Sequence, residues 1–170
     1  LETAPQVCSA AETHLGPDDE LTVRCRMNWA WALHTAGRYD DAIALEEQVL
    51  MQAQRALGPD HKWTRIVKRN MGRSLAAAQR WDAALTVDRW LVADAERLSG
   101  ESSLETLHAR RQLATDLARA GQHEQAIELA SEILESSSAS HGASDMGTLN
   151  AKYTLWQVTV AAGDWPTAKA

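Results

Sequence analysis

Apolar residues recur along this chain at intervals of three and four, in blocks separated by short polar breaks. That spacing is the signature of amphipathic helices. One set of blocks falls at about 19–36, 61–78, 103–120 and 145–162. Its apolar positions are Cys25, Trp29, Leu33 and Ala36, then Val67, Met71, Leu75 and Ala78, then Ala109, Leu113, Leu117 and Ala120. Ala30, Gly72 and Ala114 sit beside the large residue, where a small side chain lets a neighbouring helix approach closely. The fourth block departs, with Trp156 at the small position and Thr159 where Leu is expected. We call these the A helices. Between them lie B helices at about 40–56, 82–98, 124–139 and from 166 to the end. Their apolar faces are Ala42, Leu45, Val49 and Ala53, then Ala84, Val87, Leu91 and Ala95, then Ala126, Leu129 and Ile133. Residues 1–14 align with 43–56 and read as one further B helix. No period-two alternation competes, so the chain is predicted to be all-α, with short turns joining antiparallel neighbours.

The breaks repeat as well as the helices. Ala36-Gly37-Arg38-Tyr39-Asp40-Asp41-Ala42 returns at 78–84, 120–126 and 162–168, each time 42 residues later. Gly16, Gly58, Gly100 and Gly142 keep that spacing, and so do Thr22, Thr64, Thr106 and Thr148. A period of this length indicates stacked helical repeats. Gly in these breaks suits a helix C-terminus. Asp18 or Asp19 can cap the helix that follows, and Ser102 with Glu105 has capping-box spacing. Pro166 suits the first position of the last helix. Gln79 stands where the other copies carry Gly. A side chain in a left-handed turn costs on the order of 1 kcal/mol, so a less regular turn is expected there.

These markers resemble a tetratricopeptide repeat (TPR) array of the 42-residue, kinesin-light-chain-like type. The residues that carry the resemblance are Leu57-Gly58-Pro59-Asp60-His61 with Thr64, Asn28-Trp29-Ala30 and Asn70-Met71-Gly72, and the turn at 37–42. The resemblance implies a right-handed α-solenoid. The expected organisation is a single array over 1–170. It holds a second helix at 1–14, repeats at 15–56, 57–98 and 99–140, and a partial, degenerate repeat at 141–170, excised from a longer protein. The family places an apolar residue three before Trp29 and an aromatic four after Ala42. Here those places hold Arg26, Lys68, Arg110 and Lys152 against Glu46, Asp88 and Ala130. The substitution predicts ion pairs Arg26–Glu46 and Lys68–Asp88, and an Arg110 without the equivalent partner.

The family implies that A helices line a concave groove, the usual binding face of solenoids. Helical geometry puts Arg24, Met27, Asn28, Trp31 and His34 on that face in the first repeat. Ile66, Arg69, Asn70, Arg73 and Ala76 follow in the second, His108, Arg111, Gln112 and Thr115 in the third, and Asn150, Tyr153, Thr154 and Gln157 in the fourth. Asn28, Asn70, Gln112 and Thr154 share one register, and carboxamides can both donate to and accept from a peptide backbone. Arg24, Arg69, Arg73 and Arg111 are the candidates for a ligand carboxylate. The peptide-binding set is therefore Arg24, Asn28, Trp31, Arg69, Asn70, Arg73, His108, Arg111 and Gln112, with Trp31 or Met27 as apolar anchor. Seven Trp and no Phe stand in the chain. Trp29, Trp81 and Trp165 read as packing, while Trp63 and Trp90 read as inter-repeat contacts or a partner surface.

A net charge of −6 argues against nucleic-acid binding by this segment. No apolar run is long enough to cross a membrane. Cys8 and Cys25 lack metal-site spacing and read as two buried apolar residues of a reducing, cytoplasmic compartment. No phosphate loop, metalloprotease helix or nucleophile elbow is present, and the six His are scattered. The expectation is a non-catalytic module without cofactor or metal. It would bind a protein or peptide segment, acidic or carboxylate-bearing, as part of a larger bacterial regulator. The alternative is a scaffold that packs on its parent protein or self-associates.

Overall fold

The computed structural model describes residues 3–163. Among them every regular element is a helix: α1 (Ala4–Leu15), α2 (Glu20–Thr35), α3 (Tyr39–Ala56), α4 (Lys62–Ala77), α5 (Trp81–Ser99), α6 (Leu104–Arg119), α7 (His123–His141) and α8 (Met146–Ala161). The even-numbered helices are the A helices and the odd-numbered ones the B helices. The expected helix from 166, with Trp165 and Pro166, lies outside the described residues.

The chain forms two compact units, one up to Val87 and one from Asp88. In the first, α1 packs on α2, α2 on α3, α3 on α4, and α2 also on α4. In the second, α6 packs on α7, α7 on α8, and α6 on α8. Within each unit these helices meet their successors, and one A helix meets the next. That neighbour pattern is a stack of helix pairs, the packing of an all-α solenoid.

The core follows the apolar periodicity. Ala42, Leu45, Val49 and Ala53 of α3 close against Val23, Met27, Ala30 and Leu33 of α2 and Val67 of α4, with Trp29 packed at the margin. In the second unit Leu107, Ile133 and Ala151 join α6, α7 and α8. Ala30, Gly72 and Ala114 are buried, as the close-approach argument requires. Met27 corrects the expected face. It is 7% exposed and belongs to the core rather than the binding surface, because α2 is enclosed by both α3 and α4.

The Gly and Thr markers turn out to be one device. Thr22 Oγ1 donates to the Gly16 carbonyl at 2.8 Å, Thr64 to Gly58 at 2.7 Å and Thr106 to Gly100 at 2.8 Å. Each clip joins the end of one helix to the first turn of the next and satisfies a carbonyl left open there. Thr148 is the exception, since its buried hydroxyl has no partner among the described residues.

Caps differ in detail from expectation. Asp19 accepts from the Leu21 amide at 2.8 Å. Ser103, not Ser102, caps α6 by accepting from Thr106 N at 3.1 Å. Glu105 instead accepts from the Ser99 hydroxyl at 3.1 Å, so the capping box does not form. Gln79 also corrects a prediction. It adopts φ 59°, and its turn closes with Arg80 N to Leu75 O at 2.9 Å, as Arg38 N closes to Leu33 O at 3.0 Å. The turn is regular because tertiary packing imposes it on a side chain that resists it. Gln79→Gly is therefore expected to stabilise the protein by about 1 kcal/mol, read as a higher denaturant midpoint at unchanged slope.

Cys8 and Cys25 are joined by a disulfide, with Cα atoms 5.5 Å apart. This overturns the reading of two separate buried thiols. Helix packing of α1 on α2 brings together residues that sequence spacing leaves unpaired.

Candidate functional site

Helical periodicity puts every third or fourth residue of an A helix on its outer face, and packing of neighbouring A helices joins two such faces. In the second unit this produces a cleft of about 200 Å³ between α6 and α8. It is lined by His108, Arg111, Gln112 and Thr115 from α6 and by Asn150, Tyr153, Thr154 and Gln157 from α8. These are the residues that the spacing selects for the third and fourth repeats.

Arg111 dominates the cleft. Burial lowers its pKa from the usual guanidinium range, yet a guanidinium keeps its charge in proteins. Among the described residues none accepts a hydrogen bond from it. A half-buried cation without an intramolecular acceptor is costly, and an incoming carboxylate relieves that cost. Gln112 is partly committed, since its Nε2 donates to Asp116 Oδ2 at 2.8 Å. Thr154 is buried and its hydroxyl donates to the Asn150 carbonyl at 2.9 Å, so it contributes little to a carboxamide ladder. Tyr153 and Trp156 stack at 5.8 Å on the exposed side of α8.

In the first unit α2 and α4 offer a corresponding face. Asn28, Arg69 and Arg73 are exposed and Asn70 is half-buried. Trp31 is 39% exposed and stacks on His34 at 4.8 Å with ring planes 11° apart. Burial first, and Arg73 second, lower the His34 pKa, which favours the neutral imidazole at neutral pH. Its Nδ1 lies 3.1 Å from Ser74 Oγ. Arg24 is less available than its register suggests. Its guanidinium lies 4.8 Å from the Trp63 ring centre, while Trp63 Nε1 donates to Glu20 Oε1 at 2.8 Å. Trp63 is thus an inter-repeat contact of α4 with α2. Ile66 packs against the core and Ala76 is buried, so both drop out of the face.

The predicted Arg26–Glu46 ion pair fails in an informative way. Arg26 donates to Gln52 at 3.0 Å and Gln48 at 3.3 Å, not to Glu46. Glu46 is 1% exposed, and neither carboxyl oxygen has a hydrogen bond of good geometry. Asp88 faces Asp116, a second acid, which raises its pKa after burial has done so. Arg110 has no acid at the equivalent place, which is Ala130, and instead donates to Glu96 Oε1 from Nη2 at 2.5 Å. Sequence reasoning missed these polar core groups because it gave the acids at 46 and 88 a cation as partner and so did not foresee a buried carboxyl without one.

Among the described residues no group of three or more His, Cys, Asp or Glu could hold a metal ion, and no helix is long and apolar enough to cross a membrane.

Residues 22–61 match the tetratricopeptide repeat family model. No curated protein sequence matches the chain. Solved structures match throughout. A Podosopora anserina protein with nearly identical kinesin-light-chain TPR-like repeats superposes with TM-score 0.88 at 19% identity, over 99% of this chain and 80% of that one. A single-substitution variant of that protein gives the same score and identity over 79% of its length. BtubC (BKLC) from P. vanneervenii superposes with TM-score 0.72 at 19% identity, over 90% of this chain and 60% of that one. The family match over residues 22–61, the 42-residue period and the stacked helix pairs agree: the chain has the all-α fold of tetratricopeptide-repeat solenoids.

Proposed function

We propose that this chain captures an extended, acidic or carboxylate-bearing protein segment on its A-helix faces, with no catalysis of its own. Tetratricopeptide repeats generally mediate protein–protein interaction or scaffolding. The observation that carries the finer reading is Arg111, held half-buried in a polar cleft with no intramolecular acceptor among the described residues. Gln112, His108 and Asn150 surround it with groups able to bond a peptide backbone. In the first unit Asn28, Trp31, Arg69, Asn70 and Arg73 offer the same chemistry, with Trp31 as the apolar anchor. The repeats at 15–56, 57–98 and 99–140 would then serve as one array within a larger bacterial regulatory protein. Its Arg-rich, Ala-rich composition supports the bacterial assignment.

One observation favours a second reading, a scaffold that packs on its parent or on another copy. Met146, Leu149, Tyr153 and Trp156 leave an exposed apolar stripe along α8. The two readings separate in a screen of random decapeptides displayed against the chain. The leading reading expects enrichment of Asp and Glu, and binding that weakens as salt rises, because charged contacts at the surface are screened. Selected peptides without acids, or binding indifferent to salt, would count against it and for apolar packing.

A further inference from the structure

Position 46 of the first repeat recurs as 88 and 130, and position 74 of the next A helix recurs as 116 and 158. In the first two copies these positions meet across successive repeats, and the residue types at them change along the chain. They are Glu46 with Ser74, then Asp88 with Asp116, then Ala130 with Val158. All six are buried. The first two joints therefore enclose a carboxyl in the core, and the third copy of the positions is apolar.

We propose that the Glu46–Ser74 and Asp88–Asp116 joints are proton-gated: they are closed while the buried carboxyl holds a proton and loosen when it ionises. The geometry supplies little to hold a charge. Around Glu46, α4 offers Ser74, whose hydroxyl also meets His34 of α2 at 3.1 Å. Neither carboxyl oxygen of Glu46 has a hydrogen-bond partner among the described residues. Arg26 of α2 donates to Gln48 and Gln52, Arg73 of α4 lies beside His34, and Arg65, Lys68 and Arg69 of α4 each hold an interaction of their own. Around Asp88, α6 presents Asp116. That acid already accepts from Gln112 at 2.8 Å and from Arg119 at 3.4 Å, so the proton of the pair is best kept on Asp88. Asp88 Oδ2 has no hydrogen-bond partner among the described residues.

The direction of the linkage follows. Burial, only partly offset by Ser74, pushes Glu46 up to about 7. Burial and then Asp116 push Asp88 up to about 7. The folded state therefore binds these protons more tightly than the unfolded chain. Their stabilisation is fully present below the ordinary carboxyl range. It declines as pH rises and is lost once pH has passed through about 7. Both joints touch the A-helix faces. Ser74 meets the imidazole that stacks on Trp31, and Asp116 is held by Gln112 of the cleft.

The test uses the whole chain without ligand, so its result is independent of the peptide-binding reading. Thermal unfolding is followed from pH 5 to pH 8.5, with amide exchange corrected for intrinsic rate. The expected result is a fall in Tm on the order of 10 °C across this range, with protection lost in α3–α4 and α6 and retained in α7–α8. Glu46→Gln with Asp88→Asn flattens the profile and raises Tm at pH 8.5. A carboxyl-carbon NMR titration of the unaltered chain, placing Glu46 near neutrality, supports the same result without any variant. A flat Tm profile, loss of protection that spares α3–α4, or a Glu46 carboxyl that titrates in the ordinary range overturns the proposal.

Discussion

Reduction of the Cys8–Cys25 bond is expected to release α1 while α2, α3 and α4 keep their amide protection. The helix has few other attachments. It is 12 residues long, and Cys8 is its buried residue, while Val7 and Leu15 are 58% and 48% exposed. A helix of this length is marginal in water without packing. Cross-linking residues 17 apart removes closure entropy worth about 3 kcal/mol from the open state. Loss of the bond should therefore speed exchange of the α1 amides by about a hundredfold. Cys8→Ala with Cys25→Ala should do the same. Unchanged α1 exchange after reduction would show that packing on α2 holds the helix unaided. The expectation of a reducing compartment loses its basis on the same observation, since it treated the two thiols as independent.

Arg111→Glu is expected to weaken capture of an acidic peptide by a hundredfold or more. A hydrogen bond to a charged group is worth roughly 1.5–3 kcal/mol net, and reversal adds repulsion to its loss. About 1.4 kcal/mol corresponds to tenfold in affinity, so two such bonds exceed a hundredfold. Arg69→Glu with Arg73→Glu should abolish what the first unit contributes, with helix content intact by circular dichroism. Arg55→Gln serves as the control. It removes a pair with Asp18 whose side chains are 66% and 54% exposed, and pairs of that kind contribute little. Titration of each variant with one selected acidic decapeptide decides the matter. Arg111→Glu binding as tightly as the parent chain would reject the cleft as the site.

Much of the candidate site was legible because a helix presents its residues at a set angle. The eight cleft residues follow from spacing alone, given that α6 and α8 are neighbours. What spacing could not supply was depth. Met27 and Trp31 lie four apart on α2, one 7% and the other 39% exposed, and only the position of α3 and α4 separates them. Arg24 was assigned to a ligand because its register faces outward. Trp63, far along the chain on α4, lies against it.

The sequence by itself determined the repeat: the helix spans to within a few residues, the glycine turns, and the Gly–Thr markers. Each depends on interactions between residues close in the chain, where hydrophobic periodicity and backbone conformation are sufficient. Tertiary structure alone decided the partners of the polar groups. It joined Cys8 to Cys25, gave Arg26 to two glutamines instead of Glu46, and set Asp88 against Asp116. Those outcomes turn on distances of a few ångströms between helices. Electrostatic and hydrogen-bond energies change sign or vanish over that range, and no one-dimensional pattern encodes it.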